Sequence, residues 1–469
     1  MEPLHIISIE EHHSIEAGEG SSSHDQPAAT ATAKMERIEM LKQAGARPGA
    51  VEAAKIQKVI FLLRDHDHFV KYFEPRVASI GPIHHGKTKY ELGEKYKLRL
   101  AYQFVQGLSC NNGDSLDDDI NHLYKKIMKE IKKLRECFEE EVTKKYDDET
   151  LAWMLFVDGC AILQYIFCAT NYKKFEELSI KNDSVAFAQQ DLFLLENQVP
   201  YRLLNLLMCS SRKEDELRKS IESFIQNVTS QQMKPIEKRE PTHLLDLLRT
   251  TLLGPPLSCP RRKRRPKDDP DWQSYRNVQE LKLAGIQLKQ SKHRSLRNVS
   301  FTRQFNFYPG YLSLPPITVD DSTGPKFMNL IAYEMCLDFK NDFGISSYIS
   351  FLDSLIDEAN DVKDLRKAHI LHNLLGSDQE VADLFNAIGT DLVPSTEAYE
   401  DVKFQIQDYY DNDWMTWMAQ FFHNHFSSPW TILAFLGVLL GLALTATQTW
   451  YAVDSPPSPC DDFCKLKLP

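Results

Sequence analysis

The sequence predicts a mainly α protein: a helical body with a small antiparallel β-hairpin insert, followed by one C-terminal transmembrane helix. Three observations carry this. Ile120, Leu123, Ile127, Ile131, Leu134, Phe138 and Val142 recur at three- and four-residue steps through 117–145, with Lys and Glu between them. No Asp, Glu, Lys, Arg or His lies between His425 and Asp454. Only one stretch, within 299–319, alternates with the period of two that a strand requires.

Composition sets the outer bounds. The 469 residues are 42% hydrophobic and 26% charged, ordinary for a globular chain, which excludes wholesale disorder and a multi-span membrane protein. A net charge of −11 argues against a surface built for nucleic acid. Nine scattered cysteines without a CxxC pair do not make a disulfide scaffold.

In chain order, residues 1–52 are expected to be a disordered leader. Met1–Ile9 is too short and too soon followed by Glu10 and Glu11 for a signal peptide, and 16–34 is small and polar. Residues 53–425 form the helical body. Helices are expected over 117–145, Leu151–Ala169, Asp191–Met208 (kinked at Pro200), Ser346–Asn360, Val362–Leu375, Val381–Ile388 and Tyr399–Phe426. Ser377 and Glu380 form a capping box before the Val381 helix. The hairpin pairs Val299/Phe301 and Phe305/Phe307 with Leu312/Leu314 and Ile317/Val319, turning at Tyr308-Pro-Gly-Tyr311.

Residues 254–272 read as an exposed Pro-rich loop with six basic residues among the seven from Arg261 to Lys267. A solvated linker is the plainest reading; nuclear import, anionic lipid and nucleic acid are the functional ones. Residues 429–451 form the transmembrane helix: the 21 residues from Trp430 to Trp450 span about 31 Å, matching a hydrocarbon core, with Trp430 and Trp450-Tyr451 at the interfaces. Gly437 and Gly441 make a GxxxG step that offers a dimer contact. A short tail, 452–469, follows. With so little chain after the span, the arrangement is that of a tail anchor with a cytosolic body. Lys465 and Lys467 argue weakly for the reverse, and the sequons at Asn182, Asn227 and Asn298 would report an extracellular body.

One string matches a phosphate-binding loop literally. Gly81-Pro-Ile-His-His-Gly86-Lys87-Thr88 fits GxxxxGK[ST], and Leu155-Phe-Val-Asp158 resembles the strand whose Asp holds Mg²⁺. Against it stand the helix-rich body, which lacks the βαβ units for a parallel sheet, and the bulk of His84 and His85. Paired histidines (His12/His13, His66/His68, His84/His85, His423/His425) lack metal-ligand spacing, and no nucleophile sits in a catalytic motif. No catalytic residue, metal or cofactor is therefore expected. Cys160 and Cys168 read as core thiols.

Seven strings in order resemble the plant domain of unknown function 247 family. They are Tyr72-Phe-Glu-Pro-Arg-Val-Ala-Ser-Ile-Gly-Pro-Ile-His-His-Gly86, Val157-Asp-Gly-Cys-Ala-Ile-Leu163, Asp191-Leu-Phe-Leu-Leu-Glu-Asn-Gln-Val-Pro200 and Thr242-His-Leu-Leu-Asp-Leu-Leu248. Glu280-Leu-Lys-Leu-Ala-Gly-Ile286, Pro325-Lys-Phe-Met-Asn-Leu-Ile-Ala-Tyr-Glu334, and Ser428-Pro-Trp-Thr431 with Gln448-Thr-Trp-Tyr451 complete the set. Together they span about residues 55–453. The chain departs from the family pattern at Ala161 and Gln164, where an aromatic and a Glu are usual, and at Ile60-Phe-Leu-Leu63. The resemblance implies a plant protein with a C-terminal membrane helix and no established catalytic residues or cofactor. Some grass members are associated with self-incompatibility loci, which implies pollen–stigma recognition for that subset. The expected function is accordingly a membrane-anchored, non-enzymatic recognition or signalling protein. Its expected partners are the bilayer and a protein of unknown identity, without nucleic acid. The alternative is a nucleotide hydrolase using Gly81, Gly86, Lys87, Thr88 and Asp158.

Overall fold

A computed structural model describes residues 34–35, 37–42, 54–65, 68–107, 116–171, 175–231, 240–255, 277–303, 309–340, 342–390, 392–395, 397–410 and 429–453. The chain divides into two units, Met1–Glu52 and Ala53–Pro469. In the first, residues 34–35 and 37–42 are helical and exposed, a departure from a structureless leader; the rest of that leader lies outside the described residues.

In the second unit one apolar helix organises the packing. Helix α3 (Asp148–Thr170) starts at Asp147, whose side chain accepts the Thr150 N–H, and is buried along almost its whole length. Around it pack α1 (Glu91–Gln106), α2 (Leu116–Arg135), α5 (Tyr201–Cys209) and α6 (Glu214–Thr229). Helix α2 turns Leu123, Ile127, Ile131 and Leu134 inward, the stripe expected from its spacing. It ends at Arg135 rather than running to 145. Ile56 forms a bridge with Phe138, donating to Cys137 O and accepting from Glu139 N, and these bonds replace the helical ones. A separate turn, Glu140–Thr143, follows.

Helix α4 (Asn182–Asp191) ends where a helix was expected to begin. Residues 192–200 are buried and irregular, and Pro200 opens α5 instead of kinking a longer helix. Helix α7 (Leu244–Leu253) joins α6 to a second group: α8 (Val278–Leu283), α9 (Thr323–Glu334), α10 (Gly344–Asp353), α11 (Ala359–Lys367) and α12 (Asp378–Gly389). Here too the expected boundaries move. Residues 354–358 separate α10 from α11, and Leu371–Asn373 is a strand rather than the end of a helix. Ser377 does cap α12, accepting from Glu380 N at 3.2 Å. Helix α13 (Glu400–Tyr410) is the described part of the expected 399–426 helix.

The strands form two small sheets. In the first, β3 (Tyr311–Leu314) lies between β1 (Gln287–Gln290), parallel, and β2 (Ser300–Thr302), antiparallel. The β2–β3 pair is the expected hairpin, with Phe301 opposite Leu312. Phe305 and Phe307 lie outside the described residues. Ile317 and Val319 do not join the hairpin. Pro315 and Pro316 interrupt the ladder, and β4 (Ile317–Val319) pairs in parallel with β5 (Leu371–Asn373). Helix α14 (Pro429–Val453) is exposed at Trp430, Thr431 and 433–453. Among the described residues two helices are long and apolar enough to cross a membrane: Leu433–Val453, with none of its apolar window buried, and α3, with 83% of its window buried in the body. The basic loop at 254–272 lies outside the described residues beyond 255.

The crossing of α3 and α5 depends on Gly159. A Cβ there would stand 2.6 Å from Leu207 Cδ1 and 3.1 Å from Leu203 Cδ2. Gly159→Val should therefore destabilise the body by about 1–3 kcal/mol through overpacking, read as a lower urea midpoint at unchanged slope. An unchanged midpoint would show that α5 can move away without cost.

Candidate functional site

Residues 76–81 run from the exposed Arg76 into the interior without helix or strand partners, so their backbone N–H groups take acceptors from side chains. Asp191 accepts from the N–H of Arg76, Val77 and Ala78 at 2.8, 2.8 and 2.9 Å. Asn197 Oδ1 takes Ile80 N–H at 2.7 Å, while its Nδ2 donates to Ala78 O and Asp191 O. Asp158 Oδ2 takes Gly81 N–H at 2.7 Å. Gly81 has φ +69°, and a Cβ there would fall 2.4 Å from Gln198 O, so position 81 admits only glycine without rearrangement.

The facing irregular segment, 192–200, is held in the same manner. Gln198 Nε2 donates to Leu192 O and Leu194 O, and its Oε1 accepts from Leu245 N. Asn329 Oδ1 accepts from Leu195 N, and its Nδ2 donates to Tyr72 O and Pro325 O. Tyr201 N–H donates to Thr242 O. Five of the seven strings singled out in the sequence meet here and satisfy one another.

Two ionic groups complete the cluster. Lys97 Nζ donates to Asp158 Oδ1 at 2.6 Å and to Ser79 O, with Glu94 2.8 Å away. Burial alone would push the Lys97 ammonium down, but Asp158 and Glu94 hold it above the usual lysine value. Glu196 accepts from Val59 N and Arg64, and His84 Nε2 stands 3.2 Å from its other oxygen. Lys87 Nζ lies 3.0 Å from His84 Nδ1. An ammonium can only donate, so this contact assigns the ring proton to Nε2, facing Glu196. Burial works to raise the Glu196 carboxyl, yet His84, Arg64 and the Val59 N–H leave it below its ordinary value. At Asp191 the balance goes the other way: burial raises it against the pull of three N–H donors.

The structure thus brings Gly81 and Asp158 together, but not as a phosphate cradle. Asp158 lies mid-helix in α3 rather than at a strand end, and Val77–Ile80 is not a strand. The Gly81 N–H that would face phosphate already holds the Asp158 carboxylate. Lys87 is occupied by His84 and Glu74, and Thr88 opens a 3₁₀ turn leading into α1. Gly86 has φ +82° and nothing within 4 Å of an added Cβ. Lys97, Glu196 and Asn329 were not singled out by sequence reasoning. The latter two were legible as polar residues inside apolar strings, whereas Lys97 sits in a charge-rich run that marks nothing.

Other sequence candidates disperse. His68 packs edge-on to Tyr72. His12, His13, His66, His423 and His425 lie outside the described residues, among which no group of three or more His, Cys, Asp or Glu could hold a metal ion. Cys160, Cys168 and Cys336 are buried thiols, and burial pushes Cys160 and Cys336 up, away from reactivity. Cys209 is exposed at the end of α5, donating to Glu214. Asn182 and Asn227 are exposed, while Asn298 is half-buried beside Ser291.

Removing Asp158 would strand the Lys97 ammonium in the interior. Asp158→Ala should cost about 3–5 kcal/mol, whereas half-exposed Lys87→Ala should stay within about 0.5 kcal/mol, both measured by chemical denaturation. Equal losses in the two variants would contradict the assignment. Glu196, with its lowered folded-state value, contributes stability that is complete above pH 4.5 and lost as pH falls through the folded value. Glu196→Gln should therefore flatten the acid limb of the stability–pH profile below that point, and a limb parallel to the wild type would disprove its role.

Comparison with known proteins places this geometry. The chain is 29% identical over 411 residues to UPF0481 protein At3g47200 of Arabidopsis thaliana, covering 82% of this chain and 83% of that one. The putative UPF0481 protein At3g02645 of the same plant is 28% identical over 180 residues, 38% of this chain and 33% of the relative. No solved structure matches. The DUF247 family, described as plant protein of unknown function, matches residues 56–444, a range that holds the whole polar cluster together with most of α14, and the chain belongs to that family.

Proposed function

We propose that this is a membrane-anchored, non-enzymatic recognition or signalling protein whose body lies in the cytosol. The observation that carries the reading is how the motif side chains are used: Asp158, Asp191, Asn197, Gln198 and Asn329 all bond to backbone or to Lys97, so the motifs build a scaffold. Helix α14, free of charged residues over its 25 positions and exposed over 433–453, supports the anchor. Its Gly437 and Gly441 stand one turn apart with open space around them, which supports pairing with a second copy. Pollen–stigma recognition is the narrower form of this reading and rests on the family resemblance alone.

A nucleotide hydrolase is the rival, favoured by the 2.7 Å contact that joins Gly81 to Asp158. Melting the full chain in detergent micelles with Mg²⁺-ATP or Mg²⁺-GTP separates the two. No shift is expected, and stabilisation that disappears in Lys87→Ala would overturn the non-enzymatic reading. For the anchor, alkaline extraction of plant microsomes should leave the full chain in the pellet and release a chain ending at 428. A glycan on Asn182, Asn227 or Asn298 would place the body across the membrane from the cytosol.

A further inference from the structure

Away from the motif cluster, a cleft of about 180 Å³ opens between α1, α3 and the start of α6. Its lining differs in kind from the rest of the body. Lys213, immediately before α6, and Glu177, in the 3₁₀ turn Phe175–Leu178, bring opposite charges to one cleft without pairing with each other. Neither makes an ion pair with any other described residue. The Lys213 ammonium lies over the Phe167 ring, 5.7 Å from its centroid. Two amides, Gln103 and Gln164, line the same cleft. Gln164 Nε2 donates to Gln103 Oε1 at 3.3 Å and to Cys168 Sγ at 3.4 Å, which leaves the Gln103 amide N–H groups and the Gln164 carbonyl for a guest. Ser211 Oγ accepts from Lys213 N, so its own hydroxyl proton is free to donate.

We propose that this cleft binds a free amino acid as a zwitterion. Its carboxylate would meet the Lys213 ammonium and the Ser211 hydroxyl; its ammonium would meet Glu177. Its side chain would lie along Phe167, with the Gln103–Gln164 pair reading a polar end. The volume admits a small guest, since about 10–15 Å³ of such space already holds one water. A monovalent anion or cation would meet one of the two charges, whereas a zwitterion meets both. The site stands apart from the scaffold cluster and does not depend on the anchored-recognition reading.

The test is thermal melting and calorimetric titration of the full chain in detergent micelles with each proteinogenic amino acid at about 5 mM, since ligand binding to the native state raises its melting point. At least one free amino acid should raise the midpoint by about 2 °C or more, and its N-acetyl and methyl-ester forms should not. Lys213→Met and Glu177→Gln replace exposed side chains, so both should melt as the wild type does without ligand, while each weakens binding by about tenfold or more. The proposal fails if none of the amino acids shifts the midpoint, if the blocked forms shift it equally, or if the shift survives both substitutions. A response confined to a tripeptide such as Ala-Ala-Ala would assign the cleft to a peptide and overturn it as well.

Discussion

The body depends on satisfying two chain segments that belong to no helix or sheet. Residues 76–81, which run inward from the exposed Arg76 to the buried Ile80 and Gly81, and the buried residues 192–200 face one another beside α3, and an unmade buried hydrogen bond costs about 1–3 kcal/mol. The acceptors are side chains borrowed from elsewhere: Asp158 from α3, Asp191 from the end of α4, Asn197 from the facing segment, Asn329 from α9; Gln198 donates to carbonyls within its own segment. All of these side chains but Asp191 serve more than one chain segment, so the helices they come from are fixed relative to each other by polar bonds as well as by apolar packing.

The same physics recurs in the second group of helices. Glu334, buried in α9, accepts from the N–H groups of Ile345 and Ser346 at the start of α10 and from Arg249 of α7. Asp361 accepts from Gln279, Asp357 and Glu358, tying α8 to the start of α11. Carboxylates at helix starts meet the positive end of the helix dipole as well as free N–H groups. The polar interior therefore performs the work that a sheet performs in other folds: it sets the register between elements.

How much of this was legible follows from the range of each interaction. The α2 stripe, the α3 core helix and the Ser377 cap are written within a few residues of themselves, and sequence spacing found them. The break after Arg135 depends on Ile56, some eighty positions earlier, and the strand at Leu371–Asn373 depends on Ile317–Val319. Asp191–Pro200 has helical composition, but its polar groups bond to residues 76–81, Leu245 and Asn329, and tertiary bonding overrides local preference there. The phosphate-loop match had a curious outcome. It joined two residues, Gly81 and Asp158, that do touch, because both a phosphate loop and this scaffold need a glycine N–H beside an anion. In this chain the anion is its own aspartate.

Helix α3 has one consequence during synthesis. Its apolar window has a mean hydropathy of 1.7, enough for a membrane segment, and it leaves the ribosome nearly 300 residues before the C-terminal helix. Machinery that selects membrane segments by hydropathy thus meets the core of the body first. Chain order provides the counterweight. Helices α1 and α2, two of its main packing partners, precede it in the chain and can cover it as it emerges, while α5 and α6 follow within about sixty residues. Asp158 at its middle adds a charge that is costly in lipid and satisfied by Lys97 and the Gly81 N–H, both of which have already been made. The buried ion pair thereby sorts α3 into the protein.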